Sequence, residues 1–500
     1  MRLADVLKNA GIETLTGSQN PGDTEITGIT LNSQNVEPGS LFIAIKGNVT
    51  DGHMYAASAV EKGAAALLLE EVSEEIPSLG VPVAKTSDSR AAASIVASNF
   101  HDHPSLAMKI VGVTGTNGKT TVSHMIEAGW TAEGLKTGLL GTIENRYMGK
   151  AETASLTTPD PLAFMSMLRE MKDAGVTNVT LEVSSHALDL KRVDGCHFDA
   201  AVFTNLTQDH LDYHKTLEDY FRAKERFFSE VLERSAKKEV FSIVNADDPF
   251  ASRISVPKKA QKITFSTKKK DSAVFAENFT LDSGGIKATL ATPWGKVELD
   301  SKLMGKHNLY NMMAATGTLL SLGLSPGITG RALSELRRIP GRLEKIENTL
   351  GIDVFVDYAH TPDALENVLE CLKPFCAERL ITVVGCGGDR DRRKRPLMAA
   401  VGRRYSDMLI VTSDNPRTED PERIISDMTE GIESRDPGVA VITDREEAIK
   451  HAVDTSRRGD TVLIAGKGHE DYQIIGTEKI HFDDREIAEK HLEARGGRRL

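Results

Sequence analysis

The run Val111-Gly112-Val113-Thr114-Gly115-Thr116-Asn117-Gly118-Lys119-Thr120-Thr121 constrains this chain more than any other stretch. An apolar, strand-like segment from Lys109 to Val113 feeds a glycine-bearing turn that closes on Lys-Thr-Thr, and a helical pattern begins near Val122. Backbone N–H groups, a helix N-terminus and an ammonium therefore converge on one point, which is how proteins hold polyphosphate. The strict phosphate-loop pattern wants a glycine five residues before the Gly-Lys pair, and Val113 stands there instead. In such a loop Lys119 meets the β- and γ-phosphates of ATP and the Thr120 hydroxyl is the expected Mg²⁺ ligand.

Around this loop the chain alternates strand and helix in the way that builds parallel sheets. Its 500 residues, 40% hydrophobic, exceed one core and suggest about three domains. The expected divisions are 1–90, 91–337 and 338–500, all α/β, with a small antiparallel insertion over 268–302 and a break at Ile339-Pro340-Gly341. In the second unit three strand-like runs end on polar clusters: Val179–Val183 on Ser184-Ser185-His186, Ala200–Phe203 on Thr204-Asn205, and Phe241–Val244 on Asn245-Ala-Asp247-Asp248. The third unit repeats the pattern, with runs near 354, 380, 408 and 462 ending at Asp357, Asp389-Arg390, Asp414-Asn415-Pro416-Arg417 and Gly466 to Glu470. Ligands of doubly wound sheets bind beyond the carboxyl ends of strands, so these clusters predict a shared cleft. Glu182 lies inside an apolar strand, where an unpaired carboxylate is costly and a magnesium ion is a good reason for it. His210 by itself reads first as a satisfied core histidine.

Charge narrows the function. A net charge of −11 excludes the basic footprint of a nucleic-acid binder. No apolar run approaches the ~20 residues of a membrane span, and the opening Met-Arg-Leu-Ala-Asp is not a signal peptide. The four cysteines form neither a Cys-x-x-Cys pair nor a zinc pattern, consistent with a reducing, cytoplasmic setting.

Gly115-Thr-Asn-Gly-Lys-Thr-Thr121, Thr157-Thr158-Pro159, Glu182-Val-Ser-Ser-His186, Thr204-Asn205-Leu206, Gly305-Lys-His-Asn308, Pro340-Gly341-Arg342 and Asp357-Tyr-Ala-His360 resemble, in order, the successive motifs of the Mur ligase family. That family's phosphate loop also lacks the earlier glycine, so Val113 is a family trait. The resemblance implies a small N-terminal uridine-nucleotide-binding domain, a central phosphate-loop ATPase-like parallel sheet and a C-terminal Rossmann-like domain. Ser33 and Asp51-Gly52-His53 resemble the uridine-nucleotide site of the branch that adds the third residue of the peptidoglycan peptide, and Asp414 to Arg417 the motif of those using meso-diaminopimelate. The implied partners are UDP-N-acetylmuramoyl-L-Ala-D-Glu and meso-diaminopimelate, with ATP and Mg²⁺, and the implied enzyme is a monomer.

By the same resemblance Lys119, Glu182, His210 and Lys224 are catalytic, and Thr120, Glu182, His210 and Lys224 hold metal, Lys224 as a carbamate. Gly115 to Thr121, Asn308, Asn311, Arg342 and Asp357 surround ATP; Ser33, Thr157, Thr158, Ser184 and Arg192 grip the UDP substrate. Arg390, Asp414, Asn415, Pro416, Arg417, Gly466 and Glu470 form the diaminopimelate pocket. Diaminopimelate differs from lysine by a distal carboxylate, which the Arg417 guanidinium can clamp with two parallel hydrogen bonds. From spacing alone Lys224 reads as an exposed helix lysine. Two departures touch the UDP side: Leu190 replaces a glutamine, and Asn32-Ser33-Gln34 replaces Asp-Ser-Arg. A lysine-adding ligase, a folylpolyglutamate-type ligase and a phosphate-loop ATPase switch are the competing readings.

Overall fold

In a computed structural model of the chain, which describes every residue except 18–19, 48–49, 74–75, 283, 434–435 and 497–500, the loop-bearing strand Lys109–Thr114 lies inside an eleven-stranded sheet. Ala200–Phe203 and Asn178–Glu182 flank it in parallel, with Val113 level with both Val202 and Glu182. That register brings the carboxyl ends of three strands to one edge, where the polar clusters emerge. Both faces of the strands are covered, which explains their near-continuous apolar sequences. On one face the helices Lys119–Ala132 and Lys306–Ser321 pack Met125, Trp130, Met312 and Leu319 into one core. Phe164, Phe198, Phe227 and Phe228 fill the other.

Two local expectations change. The helix after the loop opens at Lys119, three residues before Val122, because Gly118 caps it at φ 87° and so lets Lys-Thr-Thr form the first turn. The 268–302 segment is antiparallel as expected, yet its strands Val274–Asp282, Gly285–Ala291 and Val297–Ser301 extend the central sheet through pairing of Val274 with Phe265.

A five-stranded sheet between Ile12 and Thr86 precedes this body. The helix Ser89–Phe100, capped by Asp88 through the Ala91 N–H, packs Ala92, Ala93 and Val96 onto it. Ser94 on the same helix accepts from the Gly195 N–H and donates to the Arg192 carbonyl, which fastens the first sheet beside the segment carrying Arg192.

The last sheet has six strands. Asp353–Asp357, Leu380–Cys386, Met408–Ser413 and Thr461–Ala465 are parallel and match the expected runs, whereas Glu344–Ile346 adds an antiparallel edge. Arg445 joins two of these strands from below: it donates to the carbonyls of Ser413 and Ala465 and forms a doubly bonded, fully buried ion pair with Asp484, at 2.8 and 2.6 Å. Removing one member of such a pair leaves an uncompensated charge. Asp484→Ala is therefore expected to destabilise the C-terminal unit by about 3–5 kcal/mol, read as a lower urea midpoint for that unit's unfolding transition.

Candidate active site

Two residues, Thr204 and Asn205, brace the phosphate loop before any ligand is considered. The Thr116 N–H donates to the Asn205 carbonyl (2.9 Å) and the Asn117 N–H to Asn205 Oδ1 (2.9 Å). Thr204 Oγ1 donates to the Asn117 carbonyl at 2.6 Å. At Gly115, φ is 147° and a Cβ would fall 1.9 Å from Thr204 Oγ1, so only glycine lets the two strand ends approach this closely.

The Gly115 carbonyl accepts from two ammonium groups, Lys119 Nζ at 3.0 Å and Lys224 Nζ at 2.8 Å. Lys224 is 1% exposed, contrary to its reading as a surface residue, because Tyr220, Phe221 and Ala223 on its helix Leu217–Arg226 are all buried with it. Its ammonium lies 4.5 Å from the Tyr220 ring centroid. Burial, reinforced by Lys119, drives its pKa well below the usual lysine value despite Asp209. Burial likewise lowers that of Lys119, opposed by Glu182 and Asp209. A neutral amine is a nucleophile toward CO₂, the chemistry that a carbamate requires.

Glu182, 1% exposed, accepts from the Thr142 N–H (2.8 Å) and Thr142 Oγ1 (2.9 Å). His210 has a left-handed backbone (φ 53°) that turns its ring edge-on to His186, centroids 4.9 Å apart. Burial pulls the His210 pKa down to about 3 against the pull of Asp209, so the imidazole is neutral and free to ligate. Among the described residues no three His, Cys, Asp or Glu side chains close into a metal cage. Mg²⁺ is ordinarily bound through one or two carboxylates together with water and substrate phosphates. The donor chemistry of Glu182, His210 and the loop hydroxyl of Thr120 fits it, although Thr120 Oγ1 here accepts from Arg342 Nη2 at 2.9 Å.

Most of the other predicted residues fall into three cavities, whereas Gly115, Thr116, Lys119, Thr120, Glu182 and Lys224 line none of them. The first, about 390 Å³, is lined by Asn117, Gly118, Thr121, Asn308, Asn311, Arg342 and Asp357, between the second and third sheets. Burial pushes Asp357 up to about 6, opposed by Arg342 and the Leu343 and Ala359 N–H groups. Asp363, which sequence reasoning missed, accepts from Asn117 Nδ2 (2.8 Å) and Thr207 Oγ1 (3.3 Å) and so ties the third unit to the loop. Its only signal was its place just after the Asp357–His360 motif.

The second cavity, about 350 Å³, brings Thr157 and His210 of the middle unit against Arg390, Asp414, Asn415, Arg417, Gly466 and Glu470. Pro416 does not line it; its carbonyl accepts from the Glu419 N–H. Asp209, also missed, sits between His210 Nε2 (3.3 Å) and His360 Nε2 (3.8 Å) and joins the two units.

The third cavity, about 500 Å³, collects Ser33, Tyr55, Arg90, Asp160, Leu190 and Arg192. Asn32 Oδ1 accepts from the Gln34 N–H, so asparagine caps this turn as an aspartate would. Thr158 and Ser184 lie apart from it: Thr158 Oγ1 donates to the Glu182 carbonyl and Ser184 caps the helix Ser185–Asp189.

A fold of three α/β units with a phosphate loop at the central junction is the architecture of the Mur ligases. Three domain families match: "Mur ligase family, catalytic domain" over 25–101, "Mur ligase middle domain" over 113–319 and "Mur ligase, glutamate ligase domain" over 341–468. The chain belongs to the Mur ligase family, and it is an ATP-dependent ligase. It is 45% identical over 475 residues to the UDP-N-acetylmuramoyl-L-alanyl-D-glutamate--2,6-diaminopimelate ligase of Geobacillus thermodenitrificans, covering 95% of this chain and 96% of that one. The enzyme of the same name from Geobacter metallireducens is 43% identical, with 97% of each covered. A solved structure of a ligase of that name superposes with TM-score 0.70 at 32% identity over 99% of both chains. MurF from Acinetobacter baumannii, at 18% identity and TM-score 0.63, shares the fold.

Gly115→Ala tests the brace. The displaced loop is expected to bind ADP about 10- to 100-fold more weakly, measured by titration calorimetry, with an unchanged circular dichroism spectrum.

Proposed function

We propose that this chain joins meso-2,6-diaminopimelate to the γ-carboxylate of D-glutamate in UDP-N-acetylmuramoyl-L-Ala-D-Glu, consuming ATP, in peptidoglycan precursor synthesis. The observation that carries the reading is the second cavity. Two guanidinium groups, Arg390 and Arg417, and two carboxylates, Asp414 and Glu470, face one space of about 350 Å³. That is the complement of a distal ammonium and carboxylate on one carbon. L-Lysine lacks that carboxylate and would leave Arg417 partly desolvated and facing another cation, the ε-ammonium. The names of the relatives support the same substrates.

The division of labour follows the three cavities. Residues 1–90 take the UDP moiety with Ser33, and Arg192 meets it from the middle unit, 91–337, which holds ATP. Residues 338–500 hold the amino acid. The substrate carboxylate attacks the γ-phosphorus and the bond to the β-phosphate oxygen breaks, giving ADP and an acyl phosphate. The free amine of diaminopimelate, having lost a proton, then attacks the acyl carbon and phosphate leaves. Lys119 draws negative charge from the γ-phosphate, and the loop N–H groups orient it. Magnesium, when bound, neutralises phosphate oxygens; Glu182, His210, Thr120 and carbamylated Lys224 would hold it. The proposed enzyme is a monomer. No helix among the described residues is long and apolar enough to cross a membrane, and reliance on ATP and a UDP-linked substrate supports a cytoplasmic site.

The test is phosphate release by purified protein given ATP, Mg²⁺ and the UDP-dipeptide, with meso-diaminopimelate or L-lysine. Release is expected with diaminopimelate and at least about 10⁴-fold less efficiently with lysine; equal release with no amino acid would sink the ligase reading. Lys224→Ala is expected to lose at least about 100-fold in kcat, partly restored by added short carboxylates. A fully active variant would remove the carbamate from the mechanism.

A further inference from the structure

Lys467 is completely buried, a rare state for a lysine, and no step above uses it. It follows the strand Thr461–Ala465 and Gly466, and its ammonium bonds two residues that line the amino-acid cavity. Nζ donates to Glu470 Oε2 at 3.1 Å and to Asn415 Oδ1 at 3.3 Å. Asn415 Nδ2 donates to the same Glu470 oxygen at 2.8 Å, which closes a ring of three contacts. The Ile474 N–H also donates to Asn415 Oδ1 (2.9 Å), so the orientation of that amide is settled by donors on its oxygen side. Lys467 also lies 5.4 Å from the centroid of the Tyr472 ring.

Asp414 and Glu470 would otherwise be two buried carboxylates in one small space. Burial pushes Asp414 upward, but Lys467, Arg445 and Arg417 together outweigh it and hold Asp414 below the ordinary value. Glu470 stays above its own, raised by burial and by Asp414, with Lys467 opposing both. Of the cations near the pair, Arg445 is committed to Asp484, and Arg417 Nη1 donates to the Gly388 carbonyl at 2.8 Å. Lys467 is the one that touches Glu470 directly.

We propose that Lys467 is a positioning residue for the amino-acid substrate: its buried ammonium fixes the Glu470 carboxylate and the Asn415 amide and offsets the repulsion between Glu470 and Asp414, so that both carboxylates accept the distal ammonium of the incoming amino acid. The inference rests on the amino-acid reading of this cavity. Lys467 itself touches neither the substrate nor the reacting atoms.

The experiment compares the full-length chain with Lys467→Met, Lys467→Gln, Glu470→Gln and the double variant Lys467→Met/Glu470→Gln. Phosphate release is followed while ATP, the UDP-dipeptide and meso-diaminopimelate are varied in turn, and each melting temperature is recorded. Lys467→Met is expected to raise the KM for diaminopimelate at least about 10-fold, while the KM values for ATP and the UDP-dipeptide stay within about twofold. The double variant is expected to be no worse than Glu470→Gln, because the lysine acts through that carboxylate. If Lys467→Met does not fold, Lys467→Gln, which removes the charge and keeps a donor, carries the same comparison. An unchanged KM for diaminopimelate, a parallel rise in all three KM values, additive losses in the double variant, or failure of both Lys467 variants to fold each overturns the inference. If the unsubstituted chain shows no diaminopimelate-dependent release, the functional reading falls and the inference with it, so the two failures are distinguishable.

Discussion

The site depends on the grip of Thr204 and Asn205 on the Gly115–Gly118 turn. Two parallel strands end side by side, and the second supplies a carbonyl, an amide and a hydroxyl to the backbone of the first. The loop is thereby held open at the helix N-terminus without using the N–H groups of the Lys119 turn, which are the donors a phosphate needs. Because Gly115 leaves no room for a side chain, its carbonyl can also receive Lys119 and Lys224 together. Burial lowers both pKa values, with Arg342 adding to it at Lys119 and Lys119 adding to it at Lys224.

The third unit is attached to this loop by few contacts of high consequence. Asp363 reaches Asn117 and Thr207, Arg342 reaches Thr120, and Asp209 stands between His210 and His360. Each joins a charged group of one unit to a polar group of the other. The two cavities meet along one segment, which lends Asp357 and Ala359 to the first and Tyr358 and His360 to the second, so the proposed acyl transfer needs no long movement of an activated intermediate.

Much of this was legible in the residues. Alternating apolar runs that end in Asp, Asn, Ser or His forecast which edge of each sheet would be functional, since parallel strands covered on both faces must be apolar until they end. Asn308, Asn311, Arg342 and Asp357 do line one cavity, and Arg390, Asp414, Asn415, Arg417, Gly466 and Glu470 another. What was not legible came from contacts across long separations. Asp363 is 246 residues from Asn117, and apart from its place just after the Asp357–His360 motif it reads as an ordinary first-turn acid. Thr158 and Ser184, expected at the UDP substrate, bond each other beside Glu182, Thr158 Oγ1 accepting from the Ser184 N–H and donating to the Glu182 carbonyl.

The amino-acid sequence by itself determined the phosphate loop, the α/β class and the order of the polar clusters, because loop chemistry and strand periodicity are local properties. Tertiary structure decided the state of Lys224 and Lys467. On its own segment Lys224 reads as a solvated lysine, and Lys467 is only one member of the polar run Gly466 to Glu470; burial, which depends on the packing of distant elements, makes one a depressed amine and the other a hidden counter-charge. Ionisation follows the surroundings of a group, and those surroundings exist only once the sheets are assembled.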